Sequence, residues 1–436
     1  MKLKLLLFAT YLLVAIPILQ DGIFFNPILT LLNLVLAAIC VVSLFLYTGI
    51  SYSLFKIYHL FVLFFFCIAP AIQYKNGVRF FETYFSERDY ILASTIILLM
   101  TLVYNCVYRF FYHSGRYNSN NLVEQGDNVL KLGKEFLLLS ISSGVCLYYL
   151  YINDFNIFSL LFRGGEFVER VTVEKSTSLI ANNFLRPMPV IAFLVAYLSK
   201  PRHKIILPIL FVLMLIAAPP TGMPRFSAAA MYLPVFLFLF PRFQKKYNFI
   251  FLVVLGLLVV FPFLDVFRYF TADGLSLSSF RLSFDQFEAL HFDSYSMFMR
   301  VMKSNVITYG RQLLGVLFFF VPRSLWPNKP IGSGHYIGEV EWLEFTNLSM
   351  PFLGEGYINF GIIGVLFFIV VLAFITGKVD SWYWLGNGKR EIHSSILYIM
   401  LLGLFLLVLR GDLMSSFAYV CGFVTSNIVV KKILRH

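Results

Sequence analysis

Apolar runs alternate with short polar intervals along almost the whole chain. The runs fall at roughly 3–20, 27–49, 53–72, 90–111, 134–152, 179–199, 205–220, 227–240, 249–264, 353–377, 392–409 and 412–430. Most approach the ~20 residues a helix needs to cross a bilayer core, so the pattern predicts twelve spanning helices. The opening MKLK and the apolar residues after it look like a signal peptide. No small-x-small cleavage site follows, so 3–20 is expected to be a retained first span. The alternation fails over one long interval, 265–352. Within it, positions 297, 298, 301 and 302 form an apolar stripe with Arg300 and Lys303 off it, which predicts an amphipathic helix on the membrane surface or under the loop. The run RQLLGVLFFFV at 311–321 is too short to span and is expected to re-enter the membrane or lie at its interface. The stretch VPRSLWPNKPIGSGHYIGEVE at 321–341 is dense in Pro and Gly and reads as an ordered loop. The chain therefore divides into spans over 1–264, a large outer cap over 265–352, and three spans with a tail over 353–436.

The charges orient this plan. Lys56 and the basic residues at the N-terminus, 109–134, 200–204, 242–246, 378–390 and the tail occupy every second connection. Positive-inside bias then places these loops and both termini in the cytoplasm, and the cap outside. The two faces differ in kind. The inner face carries six Arg against thirteen Lys, the outer face twelve Arg against four Lys. Orientation needs no Arg in particular. Bidentate phosphate recognition does, because a guanidinium is a planar fork that keeps its charge. An Arg-heavy outer face is what a site for a lipid-linked pyrophosphate requires; ion pairing with acids of the same loops is the plainer alternative.

Composition narrows the class further. Of 436 residues, 59% are hydrophobic and 13% charged, where soluble domains carry about a quarter charged. Membrane lipid is the expected solvent. The net charge of +12 is dispersed among short loops, which excludes a nucleic-acid surface. The five cysteines lie inside apolar runs without a CxxC and are expected to be small buried hydrophobes. With no HExxH and no outer Asp-x-Asp, no metal or other cofactor is expected, and the missing Walker A motif argues against ATP-driven transport.

Four places could carry chemistry. Arg225, in PPTGMPRFSAA, sits where a cation left unpaired at depth costs ~2.5–3.5 kcal/mol; either it snorkels to the headgroups or the prolines fix it for a ligand. Arg410 and Asp412, in LRGDLMSSF, form a tight turn with an ion pair or contribute to a site. In the cap, Arg323 and Lys329 suit phosphate, Trp326 suits stacking on a sugar, and His335 lies close by. His291, Asp293 and Glu355 are candidate general bases near the membrane surface, with Glu355 alternatively supporting a helix N-terminus.

The order DSY, YGRQLLGVLFFFVPRSLWPNKPIGSG and PFLGEGYINFGIIG, from Asp293 to Gly364, resembles the Wzy-type oligosaccharide repeat-unit polymerases, the O-antigen polymerases of Gram-negative bacteria. The resemblance covers these seventy residues and, more loosely, the span count, the large outer loop and the element ending at Arg225. It implies an all-α, polytopic integral membrane protein of the bacterial inner membrane, GT-C-like and metal-independent, with one large periplasmic loop containing short helices. It implies undecaprenyl-pyrophosphate-linked glycans as donor and acceptor and a Wzz-type chain-length regulator as partner. The pyrophosphate-holding role carries over to Arg225, Arg323, Lys329 and Arg410. The related O-antigen ligase shares the architecture, but VPRSLWPNKP favours the polymerase. A lipid-linked repeat-unit flippase is the third possibility; it is disfavoured because carriers place charge at the midplane of broken helices and tend to show pseudo-repeats, and this chain shows neither, its charge collecting instead in the cap.

Overall fold

The computed structural model describes residues 10–11, 14–16, 26–46, 50–112, 130–162, 181–245, 247–266, 270–271, 274–275, 284–385 and 391–435. The expected first span, 3–20, falls almost wholly outside the described residues, as do Arg116, Arg163, Arg170, Arg268 and Arg281.

In chain order the helices are α1 (Pro27–Leu46), α2 (Leu54–Lys75), α3 (Glu87–Phe111), α4 (Leu132–Ile152), α5 (Ile157–Leu161), α6 (Pro187–Leu198), α7 (Ile206–Ala217), α8 (Arg225–Leu239), α9 (Asn248–Leu264), α10 (Ser294–Ser304), α11 (Arg311–Leu317), α12 (Ser333–Val340), α13 (Phe352–Leu385), α14 (Ile392–Arg410) and α15 (Leu413–Arg435). A short antiparallel pair joins Phe270–Thr271 to Gly274–Leu275. Seven of these helices, α1–α4 and α13–α15, are long and apolar enough to cross a membrane. The runs expected at 179–199, 205–220, 227–240 and 249–264 fold as the apolar helices α6–α9, close to the expected bounds and each shorter than the seven, with a helical turn at Ala181–Leu185 ahead of α6. The chain is a polytopic helical membrane protein.

Local signals explain where helices start. Ser86 and Asp89 close a reciprocal capping box on α3. Ser53 caps α2 by accepting the Lys56 amide. Helix α2 is enclosed from Leu54 to Gln73 and runs through the interior of the bundle. Peripheral helices turn apolar side chains outward, as at Ile362, Ile363 (75% exposed) and Phe367 on α13, which is the arrangement a lipid solvent rewards.

The bundle has two distinct ends. At one, the Asp380 carboxylate accepts the Leu54 and Phe55 amides and the Tyr108 and Tyr398 hydroxyls. At that same end Lys431 pairs with Glu391, Lys134 donates to the Leu434 carbonyl, and the Leu130 amide bonds the Lys200 carbonyl. Loops expected on one side from their charge thus share one end. The cap sits on the other end, where Gln73 at the close of α2 donates to the Phe287 and Phe292 carbonyls (2.7 and 3.0 Å).

Several expectations need correction. The 321–341 stretch is not loop throughout, because Ser333–Val340 forms α12. Its glycines permit close approach: a Cβ at Gly334 would overlap the Leu348 carbonyl, and one at Gly338 would press on Thr346. The amphipathic helix exists as α10 in the second of its two expected places, under the loop; the correction is to Arg300, which is not on an open face but 1% exposed and bonded to Glu341, Thr83 and the Phe80 carbonyl. Helix α11 takes only Arg311–Leu317 of its run and leaves Leu314, Leu317, Phe318 and Phe320 exposed, as an interfacial segment would. Finally, α13 is broken at Phe360–Gly361, with Gly361 at φ +63°, and buried charges do occur within spans at Lys56 and Asp380. The break is a feature that carrier helices share, but both buried charges lie near the ends of their spans rather than at the midplane.

Candidate functional site

Arg225 opens α8 and Arg410 closes α14, two helices packed against each other. Their neighbours interlock: the Arg410 guanidinium stands 5.8 Å over the Phe226 ring, and that of Arg225 stands 5.9 Å over Phe261 while donating to the Phe261 carbonyl (3.1 Å). The cap reaches this point through 290–293. Arg410 Nε donates to the His291 carbonyl (2.7 Å), and Nη2 to the Leu290 carbonyl (3.3 Å) and to Asp293 Oδ1 (3.1 Å). Ser349 donates to both Asp293 oxygens at 2.8 Å. The ion pair expected between Arg410 and Asp412 is therefore replaced by one between Arg410 and Asp293, a residue distant in sequence.

Electrostatics follow from this crowding. Burial raises the Asp293 carboxyl above its ordinary range, against the opposing pull of Arg410 and Ser349. Burial, with the nearby charges of Arg225 and Arg410, lowers His291 to about 3, so its imidazole is neutral at physiological pH. Its enclosed Nε2 has no hydrogen-bond partner among the described residues.

Asp412 carries the site onward. Its carboxylate accepts the Met414 amide (3.0 Å) and the Gly334 amide (3.2 Å), clasping the starts of α15 and α12 together. Burial raises its pKa. Beside it, Glu355 is 0% exposed and accepts the Ser333 hydroxyl (2.7 Å) and the Leu413 amide (2.8 Å). Glu355 thus supports a helix N-terminus, but that of α15 rather than its own. Sequence reading singled out neither Ser333 nor Ser349; both hydroxyls matter only because folding sets them against acids far along the chain.

The other cap candidates lie farther out. Arg323 is exposed and donates to the Lys329 carbonyl (3.0 Å). Lys329 Nζ donates to the Phe319 and Val321 carbonyls, and its pKa is lowered by burial and by Arg323. Trp326 is half-buried in a tight turn, its amide on the Pro322 carbonyl. His335 pairs with Glu339 at 3.2 Å when protonated. Lys329 borders a cleft of about 230 Å³ that also holds Thr308, Arg311, Gln312, Tyr336 and Glu339. Arg311 was legible only as the start of an apolar run, yet it is a second cation on this cleft. The structure therefore brings Arg225, Arg410, His291 and Asp293 together, sets Asp412 beside Glu355 at the junction of α12 and α15, and keeps Arg323, Trp326 and Lys329 as an outer group. No protein-family model, curated protein or solved structure matches the chain.

Proposed function

We propose that this protein is a Wzy-type O-antigen polymerase, a metal-independent glycosyltransferase joining undecaprenyl-pyrophosphate-linked repeat units at the periplasmic face of the bacterial inner membrane. The observation that supports it best is the convergence of Arg225 and Arg410, from two different helices, with Asp293 under the cap. Pyrophosphate is a good leaving group, so such an enzyme needs cations at the departing oxygen more than it needs a strong acid. Arg225 and Arg410 take that role, with Arg323 and Lys329 meeting the carrier's phosphates on entry and Trp326 stacking on a sugar.

The reaction breaks the bond between the donor sugar's anomeric carbon and the pyrophosphate oxygen. It forms one from that carbon to an acceptor hydroxyl oxygen, whose proton goes to a base. In this reading the pyrophosphate competes for the Arg410 guanidinium and frees the Asp293 carboxylate to accept that proton. A neutral His291 held near pKa 3 is too weak a base for the task, and Glu355 is committed to Ser333 and the Leu413 amide. A Wzz-type regulator is the expected partner.

The break in α13 gives specific support to a second reading, a lipid-linked repeat-unit carrier. A deletion strain separates the readings. Lipopolysaccharide capped with a single repeat unit, corrected by the wild-type gene and not by an Arg410→Ala copy, is the expected result. Bare core with repeats in the periplasm indicates a ligase, bare core with repeats retained inside indicates the carrier, and an unchanged ladder removes all three.

A further inference from the structure

Between the close of α2 and the start of α3 lies a cleft of about 200 Å³, separate in its lining from the residues of the proposed reaction. Tyr74, Arg79, Thr83, Tyr84, Glu87 and Tyr90 line it. We propose that this cleft binds one sugar ring of a glycan. Its walls are chemically mixed. Tyr84 offers a ring 62% exposed, with the Arg79 guanidinium 5.3 Å above it, and Tyr74 and Tyr90 meet edge to face at 4.8 Å. Aromatic faces pack on the C–H faces of a pyranose, while a guanidinium donates to its hydroxyl oxygens and a carboxylate accepts from its hydroxyl groups. An anion would meet Glu87, a cation would meet Arg79, and an acyl chain would bury both, so a neutral polyhydroxylated ligand fits the lining best.

The cleft is also built. Phe81 and Glu82 hold left-handed backbone (φ 55° and 54°), a conformation side chains resist unless their surroundings impose it. The buried Arg300 imposes it, bonding the Phe80 carbonyl and Thr83 on the cleft wall, lying 5.3 Å from the Phe81 ring, and tying all of this to Glu341. One enclosed cation thus holds a strained segment in place beside the aromatic opening.

That the glycan is the polymer made in the same cell rests on the proposed function; the cleft's chemistry does not. The test uses the full chain in nanodiscs and, as probe, polysaccharide released by mild acid from the cells that make it, read by saturation-transfer NMR. Wild type is expected to give transfer to sugar protons, Tyr84→Ala and Arg79→Ala to lose it by about fivefold or more, and Tyr84→Trp, which keeps a ring, to retain it. No transfer to wild type, equal transfer to Tyr84→Ala, or equal loss in Tyr84→Trp overturns the proposal. Transfer lost in Tyr84→Ala and kept in Tyr84→Trp would stand whatever ladder the deletion strain shows, which keeps the two failures apart.

Discussion

Removing the Arg410 guanidinium would leave the Asp293 carboxyl, 2% exposed, with Ser349 as its one side-chain hydrogen-bond partner among the described residues. Stranding a buried charge costs about 3–5 kcal/mol. Arg410→Ala is therefore expected to lower stability by about 3 kcal/mol, and adding Asp293→Asn to recover about half of it or more, read from unfolding midpoints in detergent. Simple additivity of the two changes would break the pairing. His291 supplies a pH test. Its folded pKa near 3 lies below the ~6.5 of an unfolded chain, so the neutral imidazole's contribution is complete above pH 6.5 and is lost as pH falls toward 3. Between pH 7 and pH 5 the wild type should lose about 2 kcal/mol more than His291→Gln; equal losses would show that the ring is solvated. At this scale the chain announced its unusual groups. Arg225, Arg410, His291 and Asp293 were each visible as polar residues beside apolar runs, but their partnerships were not, because Arg410 meets a carboxylate 117 positions away.

Helix α13 shows what periodicity conceals. The segment EGYINFGIIG reads as one apolar span, yet Gly361 turns to positive φ and Gly356 and Gly364 bring their backbones together. A Cβ on Gly364 would overlap the Gly356 carbonyl, so Gly364→Ala is expected to cost about 1–3 kcal/mol. Gly144→Ala in α4, where nothing lies within 4 Å of an added Cβ, should be neutral or stabilising by up to about 1 kcal/mol. Comparable thermal shifts for the two would contradict the close approach. Helix α12 makes the opposite point. Its glycines looked like breakers by local propensity, and tertiary contact with Leu348 and Thr346 overrides that propensity.

For the whole molecule, hydropathy and charge alternation were the strongest signals. Together they foretold a polytopic helical protein and gathered the basic loops at one end, since lipid rewards long apolar helices and leaves little room for other solutions. The short runs at 205–220, 227–240 and 249–264 were legible too, since α7–α9 keep nearly those bounds. The two-ended arrangement can be checked directly. Under the periplasmic reading, an impermeant thiol reagent applied to intact spheroplasts should label Asn328→Cys and spare Lys432→Cys; the reverse pattern would invert the protein. The fracture at Phe360 has one more consequence. The stub before it is fastened to the cap, since the Ile358 and Asn359 carbonyls accept the Thr308 and Gly310 amides and the Asn359 side chain takes the Leu313 amide. Beyond the fracture, the rod packs along α3. One span therefore answers to two sets of neighbours: its stub belongs with the cap and, through Glu355, with the start of α15, while its rod belongs with α3.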